Sequence, residues 1–89
     1  AQGRIALITG ATSGFGEAMA RRLIAGGAAV IATGRRGDRL NALARELSTE
    51  RLLTRVLDVT DARAVAAFPA SLPTDFAAID ILFNNAGLA

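Results

Sequence analysis

Three stretches of this chain carry residue types whose spacing suits the binding of a phosphorylated ligand. The first is Thr9-Gly10-Ala11-Thr12-Ser13-Gly14-Phe15-Gly16, a T-G-x-x-x-G-x-G pattern. It follows an apolar run and precedes a helix-forming one, which is the context a pyrophosphate loop requires. Gly10 lets the chain turn sharply, Gly14 lets backbone approach phosphate oxygens without a Cβ in the way, and Gly16 lets the helix lie close to a sheet. N–H groups at the helix start, with the helix dipole behind them, favour an anion, and the hydroxyls of Thr12 and Ser13 add donors. Read structurally, the same glycines serve an ordinary strand–helix turn; the strand before, the helix after and the second strand beyond favour the ligand. A P-loop is excluded, because that loop needs Gly-Lys-Ser/Thr and the chain has no lysine.

The second stretch is Thr33-Gly34-Arg35-Arg36. A fold that binds NAD places a carboxylate here to accept from the ribose 2′-hydroxyl. Two guanidinium groups suit a 2′-phosphate instead, which a carboxylate would repel. Arg35 is the expected phosphate partner. Arg36 is a second candidate, and the structural alternative is that one or both arginines are solvated surface charges. Asp38, the nearby acid, suits the first turn of the following helix. The third stretch, Asp58-Val59, is expected to face an adenine ring, with Asp58 beside it and Val59 packed on it. The structural alternative for Asp58 is a carboxylate bonding loop amides.

Asn84-Asn85-Ala86-Gly87 forms a fourth motif. Buried amides must find partners, so Asn84 is read as a strand-end tie. Asn85, Ala86 and Gly87 are read as cofactor contacts, the last two being small enough for a ligand to lie against backbone.

These motifs need elements to hold them. Arg4–Thr9, Ala28–Thr33, Arg51–Leu57 and Ile79–Asn84 read as short apolar strands. Glu17–Ala25, Asp38–Leu47 and Asp61–Phe68 read as helices. The apolar stripe of the first is Phe15, Met19 and Leu23, and that of the second is Leu40, Leu43, Ala44 and Leu47. Gly26-Gly27 ends the first helix, Thr60 is the expected N-cap of the third, and Pro69 breaks it. The order βαβαβαβ implies an α/β fold, a doubly wound parallel sheet of Rossmann type with strand order 3-2-1-4. Its binding crevice lies at the carboxyl ends of the strands, where winding reverses.

Composition removes other classes. The 89 residues allow one small domain. There is no cysteine or histidine, so disulfides and thiolate or imidazole metal sites are excluded, and no carboxylate cluster suggests a metal. The pI near 11 does not indicate nucleic acid. All ten basic residues are arginine and the net charge is only +2, so little titrates between the carboxylates and the guanidinium groups. No stretch approaches the roughly 18 apolar residues of a membrane span. Nor is there a signal-peptide pattern at the start, so a cytoplasmic protein is expected.

Together the four motifs resemble the short-chain dehydrogenase/reductase family over nearly the whole chain. The segments Gly-Ala-Thr-Ser-Gly-Phe-Gly-Glu, Ile-Ala-Thr-Gly-Arg-Arg and Ile-Asp-Ile-Leu-Phe-Asn-Asn-Ala-Gly-Leu-Ala are similar to its NADP-dependent branch acting on 3-hydroxy acids such as serine. The resemblance implies that Gly10 through Phe15, Arg35, Arg36, Asp58, Val59 and Asn85 contact NADP. It also implies a small-molecule hydroxy or keto substrate and a homo-oligomer, a tetramer or dimer. The family's chemistry uses a Tyr-x-x-x-Lys pair with an upstream serine in its C-terminal half. This chain has neither tyrosine nor lysine, so no catalytic residue is assigned to it. Residues 1–89 are therefore expected to be the N-terminal dinucleotide-binding part of one Rossmann domain, a piece of a longer polypeptide. A non-catalytic module that senses NADP(H) or scaffolds an assembly is the alternative, separated by whether Tyr-x-x-x-Lys follows. A methyltransferase-like fold normally wants an acid at the end of its second strand, and Gly34-Arg35-Arg36 argues against it.

Overall fold

A computed structural model describes residues 4–84. Strands β1 (Ile5–Thr9), β2 (Ala29–Gly34), β3 (Leu52–Val56) and β4 (Ile81–Asn84) alternate with helices α1 (Gly14–Ala25), α2 (Gly37–Leu47) and α3 (Ala62–Ala67). All three strand pairings are parallel, in the order β3-β2-β1-β4. The expected βαβαβαβ topology and strand order are thus those observed, with strand ends differing by one or two residues.

The strand alternation divides the apolar side chains between two faces. On one, Ile8, Val30 and Ala32 pack with Ala20 and Ile24 of α1 and with Leu40 and Leu43 of α2. On the other, Ile31 packs with Leu57, Phe68 and Phe76, bordered by Ile5, Leu7, Leu53 and Ala64. Covering both faces is what leaves β1 and β2 almost wholly apolar.

Helix α1 meets the sheet along Gly16, Ala20 and Ile24, not along the expected stripe. Met19 and Leu23 lie at the margin of the core, and Phe15 is 66% exposed. Small side chains on the contact face let the helix axis approach the strands, so the buried face is displaced by one residue. The end of α1 follows expectation. Gly27 has φ 93°, its N–H donates to the Ile24 carbonyl (3.0 Å), and the Ala28 N–H reaches the Leu23 carbonyl (3.0 Å). This is the Schellman arrangement, and the left-handed residue is glycine because a Cβ would be strained there. The Arg51 guanidinium adds a cation at the same helix end, donating to the Ile24 (2.7 Å) and Ala28 (3.2 Å) carbonyls.

Of two salt bridges made by Arg21, one lies within α1 and the other joins α1 to α2. Arg21 pairs with Glu17 one turn earlier (2.7 Å) and with Glu46 of α2 (2.6 Å). Those two carboxylates, Glu46 foremost, raise the Arg21 pKa, and Arg21 in turn holds the Glu46 carboxyl low.

The N-cap of α3 is Asp61, not Thr60. The Asp61 carboxylate accepts from the N–H groups of Arg63 (3.1 Å) and Ala64 (3.2 Å), because the Thr60 hydroxyl is engaged elsewhere. The helix closes at Phe68. Pro69 then opens a 3₁₀ turn, Pro69–Ser71, and a second turn spans Thr74–Phe76. Asp80 aligns β4 on β1, its N–H donating to the Ile5 carbonyl and its carboxylate accepting from the Ile5 N–H, both at 2.9 Å. No helix among the described residues is long and apolar enough to cross a membrane.

Candidate functional site

A cleft of about 360 Å³ opens at the carboxyl ends of β1, β2 and β3. Its walls are Gly10, Thr12 and Ser13 from the glycine-rich turn, Gly34, Arg35, Arg36 and Arg39 after β2, and Leu57 through Thr60 after β3.

The turn is built by its backbone. Gly10 adopts φ 67°, the left-handed region that favours glycine. The Ala11 N–H donates to the Thr33 carbonyl (2.8 Å) and the Ala11 side chain is fully buried in the core. Ala11 therefore anchors the turn, and its methyl group faces away from the cleft. Ser13 is the N-cap of α1. Its hydroxyl donates to the Gly10 carbonyl (2.9 Å) and accepts from the Gly16 N–H (3.2 Å). The Ser13 side chain thus shapes the turn, and Gly16 is buried against the sheet. The first two helical residues, Gly14 and Phe15, have N–H groups that no carbonyl of α1 can reach.

Gly14 tests whether this turn fits a diphosphate. A Cβ placed there would meet no atom within 4 Å, and its backbone is helical. Neither local conformation nor neighbouring protein explains a glycine at that exposed position, where alanine favours the helix more. Open space over two unpaired-by-geometry N–H groups is what an incoming anion requires.

At the end of β2 the cleft becomes cationic. Arg35 and Arg36 both line it, and both are exposed. Arg36 is also the N-cap residue of α2, with no side-chain capping bond, while Asp38 lies in the first turn as expected. Gly34 supports the neighbouring loop: a Cβ there would lie 2.9 Å from Thr12 Cγ2 and 3.2 Å from Thr12 Oγ1. The glycine-rich turn and the arginine stretch are therefore packed directly on each other.

The third wall is Asp58-Val59-Thr60. Asp58 Oδ1 accepts from the Thr60 hydroxyl (2.7 Å) and the Thr60 N–H (2.9 Å). Those two bonds, the hydroxyl first, hold the Asp58 carboxyl below the usual carboxylate range, with a smaller contribution from the facing Arg35 and an opposing one from burial. One oxygen of Asp58 thus performs the loop-bonding role, while the residue still lines the cleft. Val59 is 41% exposed beside it.

Of the residues singled out from sequence, the structure gathers Gly10, Thr12, Ser13, Arg35, Arg36, Asp58 and Val59 around one cleft. Gly14 and Phe15 stand at the adjoining helix start, and Ala11 and Gly16 face the core. Asn84 ties β4 to β1, accepting at Oδ1 from the Thr9 hydroxyl (2.9 Å). Asn85, Ala86 and Gly87 lie outside the described residues. The motif reading missed Arg39 and Thr60. Arg39 was detectable in principle, since it follows Arg36 by one helical turn. Among the described residues no cluster of three His, Cys, Asp or Glu could hold a metal.

Residues 4–89 match the family model described as short chain dehydrogenase. An NADP-dependent 3-hydroxy acid dehydrogenase of Salmonella typhi is 55% identical over 85 residues, covering 96% of this chain and 34% of that protein. Serine 3-dehydrogenase of Agrobacterium fabrum is 55% identical over 83 residues, covering 93% of this chain and 33% of its own length. A solved closed form of serine dehydrogenase complexed with NADP+ superposes with a TM-score of 0.84 at 50% identity, covering 88% of this chain and 31% of that one. The chain spans about a third of the length of the curated relatives it matches. A parallel sheet ordered 3-2-1-4, a glycine-rich turn at its switch point and a family match over nearly every residue lead to one assignment: the chain belongs to the short chain dehydrogenase family.

Proposed function

We propose that this chain is the NADP(H)-binding part of an oxidoreductase that moves a hydride between NADP(H) and a small hydroxy or keto compound. A 3-hydroxy acid such as serine is the substrate class its relatives' names suggest. The observation that carries the reading is the composition of the cleft. One wall is the glycine-rich turn. The facing wall holds Arg35 and Arg36 where a fold selective for NAD would place a carboxylate. The acid that does line the cleft, Asp58, has an oxygen bonded to Thr60.

In this arrangement the N–H groups of Gly14 and Phe15 hold the diphosphate, Arg35 and Arg36 take the 2′-phosphate, and Val59 packs on the adenine. Asn85, Ala86 and Gly87 complete the reading as contacts toward the rest of the cofactor. The cofactor supplies the hydride chemistry, and the protein supplies binding and orientation. Proton transfer belongs to residues outside this sequence, which has no tyrosine or lysine. Domain organisation follows the same logic: residues 1–89 form the N-terminal part of one Rossmann unit.

The test is a titration of the full-length polypeptide with NADP+ and NAD+. Arg35→Glu weakens NADP+ by roughly tenfold or more, the scale of a charge-assisted hydrogen bond, and leaves NAD+ much less affected. Equal losses for the two cofactors would remove the 2′-phosphate assignment.

A further inference from the structure

We infer that Arg39, a residue outside the glycine and Arg35-Arg36 motifs, is a further specificity-determining residue that binds the 2′-phosphate of the cofactor. This rests on the NADP(H) reading above and extends it to a third guanidinium group.

Arg39 is the third residue of α2, one turn beyond the N-cap Arg36, so the two side chains rise from the same side of the helix start. Arg39 lines the same cleft as Arg35 and Arg36. Its Nη1 makes a long hydrogen bond to the Thr12 carbonyl, 3.5 Å away. The guanidinium therefore reaches the glycine-rich turn from the side of the cleft that carries Arg35 and Arg36. A guanidinium has five N–H donors in one plane. One directed at Thr12 orients the group and leaves the others for a ligand.

Among the described residues the long bond to the Thr12 carbonyl is the one polar contact that Arg39 makes, and it uses one of its five donors. Among the described residues Arg39 forms no salt bridge: the ion pairs present join Arg21 to Glu17 and Glu46. Asp38 is its neighbour in sequence and Asp58 faces the cleft, and neither is paired with it. A cation in the first turn also opposes the dipole of its own helix, so Arg39 does not stabilise α2 electrostatically. A dianionic phosphomonoester at the mouth of the cleft would reverse both deficits, because three guanidinium groups would then share its charge and its acceptor oxygens.

The rival account is that Arg39 only tethers the glycine-rich turn through Thr12. That account acts on the diphosphate, which NADP+ and NAD+ have in common. The two ideas therefore separate in one experiment. Full-length wild type, Arg39→Gln and Arg39→Lys are titrated with NADP+ and NAD+, with thermal unfolding recorded for each. The expected result is a wild-type preference for NADP+ and a roughly tenfold loss of NADP+ affinity in Arg39→Gln, the low end for a charge-assisted bond at an exposed site. NAD+ affinity and melting temperature stay near wild type, and Arg39→Lys recovers part of the preference.

If wild type prefers NADP+ and Arg39→Gln weakens both cofactors equally, or neither, Arg39 is no 2′-phosphate ligand while the NADP(H) reading stands. A wild type without preference for NADP+ overturns both.

Discussion

Replacing Gly34 by alanine tests the packing that joins two cleft-lining segments, the glycine-rich turn and the arginine stretch. The new Cβ would lie 2.9 Å from Thr12 Cγ2 and 3.2 Å from Thr12 Oγ1, where unstrained carbon contacts need about 3.5–4.0 Å. Backbone conformation is not the obstacle, since Gly34 is an ordinary strand residue without positive φ. Rotation about Thr12 χ1 gives only partial relief. Threonine carries two heavy atoms on Cβ, and both face Gly34, so each staggered alternative turns one away and leaves one close. The turn must therefore shift or Thr12 must leave its rotamer.

Overpacking of this kind costs about 1–3 kcal/mol, and the reduced freedom of the unfolded chain on Gly→Ala returns about 0.4–1 kcal/mol. Gly34→Ala is expected to destabilise the protein by about 1–2 kcal/mol and to weaken cofactor binding as the turn moves. Thr12→Ser removes Cγ2 and lets the remaining hydroxyl rotate away, so the double variant recovers most of the loss. The assay is urea unfolding of wild type, both single variants and the double, read as a cycle. A coupling energy below about 0.5 kcal/mol, the scatter for independent sites, would show that Thr12 does not rest on Gly34.

Two further outcomes are expected. Gly14→Val leaves stability within about 1 kcal/mol of wild type, because its side chain enters open space at an exposed helix start, yet it abolishes cofactor binding; retained binding in a folded variant contradicts the diphosphate site. Asp58 is held below its ordinary pKa in the folded state, so its contribution is present above the unfolded value near 4 and disappears as pH falls through the lower folded value. Asp58→Asn should flatten the acid limb of a stability-versus-pH curve, and an unchanged limb would mean the Thr60 bonds do not hold the carboxylate.

Strand order was legible in the sequence because it follows from alternation. Four short apolar runs separated by helices, with right-handed crossovers, leave few arrangements. The α2 stripe was legible, with Leu40 and Leu43 buried and Leu47 packed beside them, but the buried face of α1 was less so. Phe15, Met19 and Leu23 form the more hydrophobic stripe of α1, and a reading by hydrophobicity selects them. The sheet selects Gly16 and Ala20, because close approach of the helix requires small residues there. Neighbouring cap formers were ambiguous in the same way. Thr60 and Asp61 can both cap α3, and what decides between them is Asp58, which engages the Thr60 hydroxyl. Such a choice depends on contacts that one-dimensional spacing does not contain.

The same distinction governs the site. Arg35, Arg36, Asp58 and Val59 were legible because each stands just after a strand, and parallel strands bring their ends together. Arg39 stands on a helix, where position in the cleft depends on the phase at which α2 starts, and Arg36 as N-cap sets that phase. Ser13 illustrates the converse. Its place beside the cleft was legible, but its hydroxyl proton goes to the Gly10 carbonyl and its lone pair to the Gly16 N–H. On the proposed reading, a diphosphate is then held chiefly by backbone donors at Gly14 and Phe15, and changes to the Ser13 side chain act through the shape of the helix start. On that same reading, selectivity between cofactors arises on the opposite wall, where the guanidinium groups stand, so binding strength and cofactor choice would rest on different residues of one cleft.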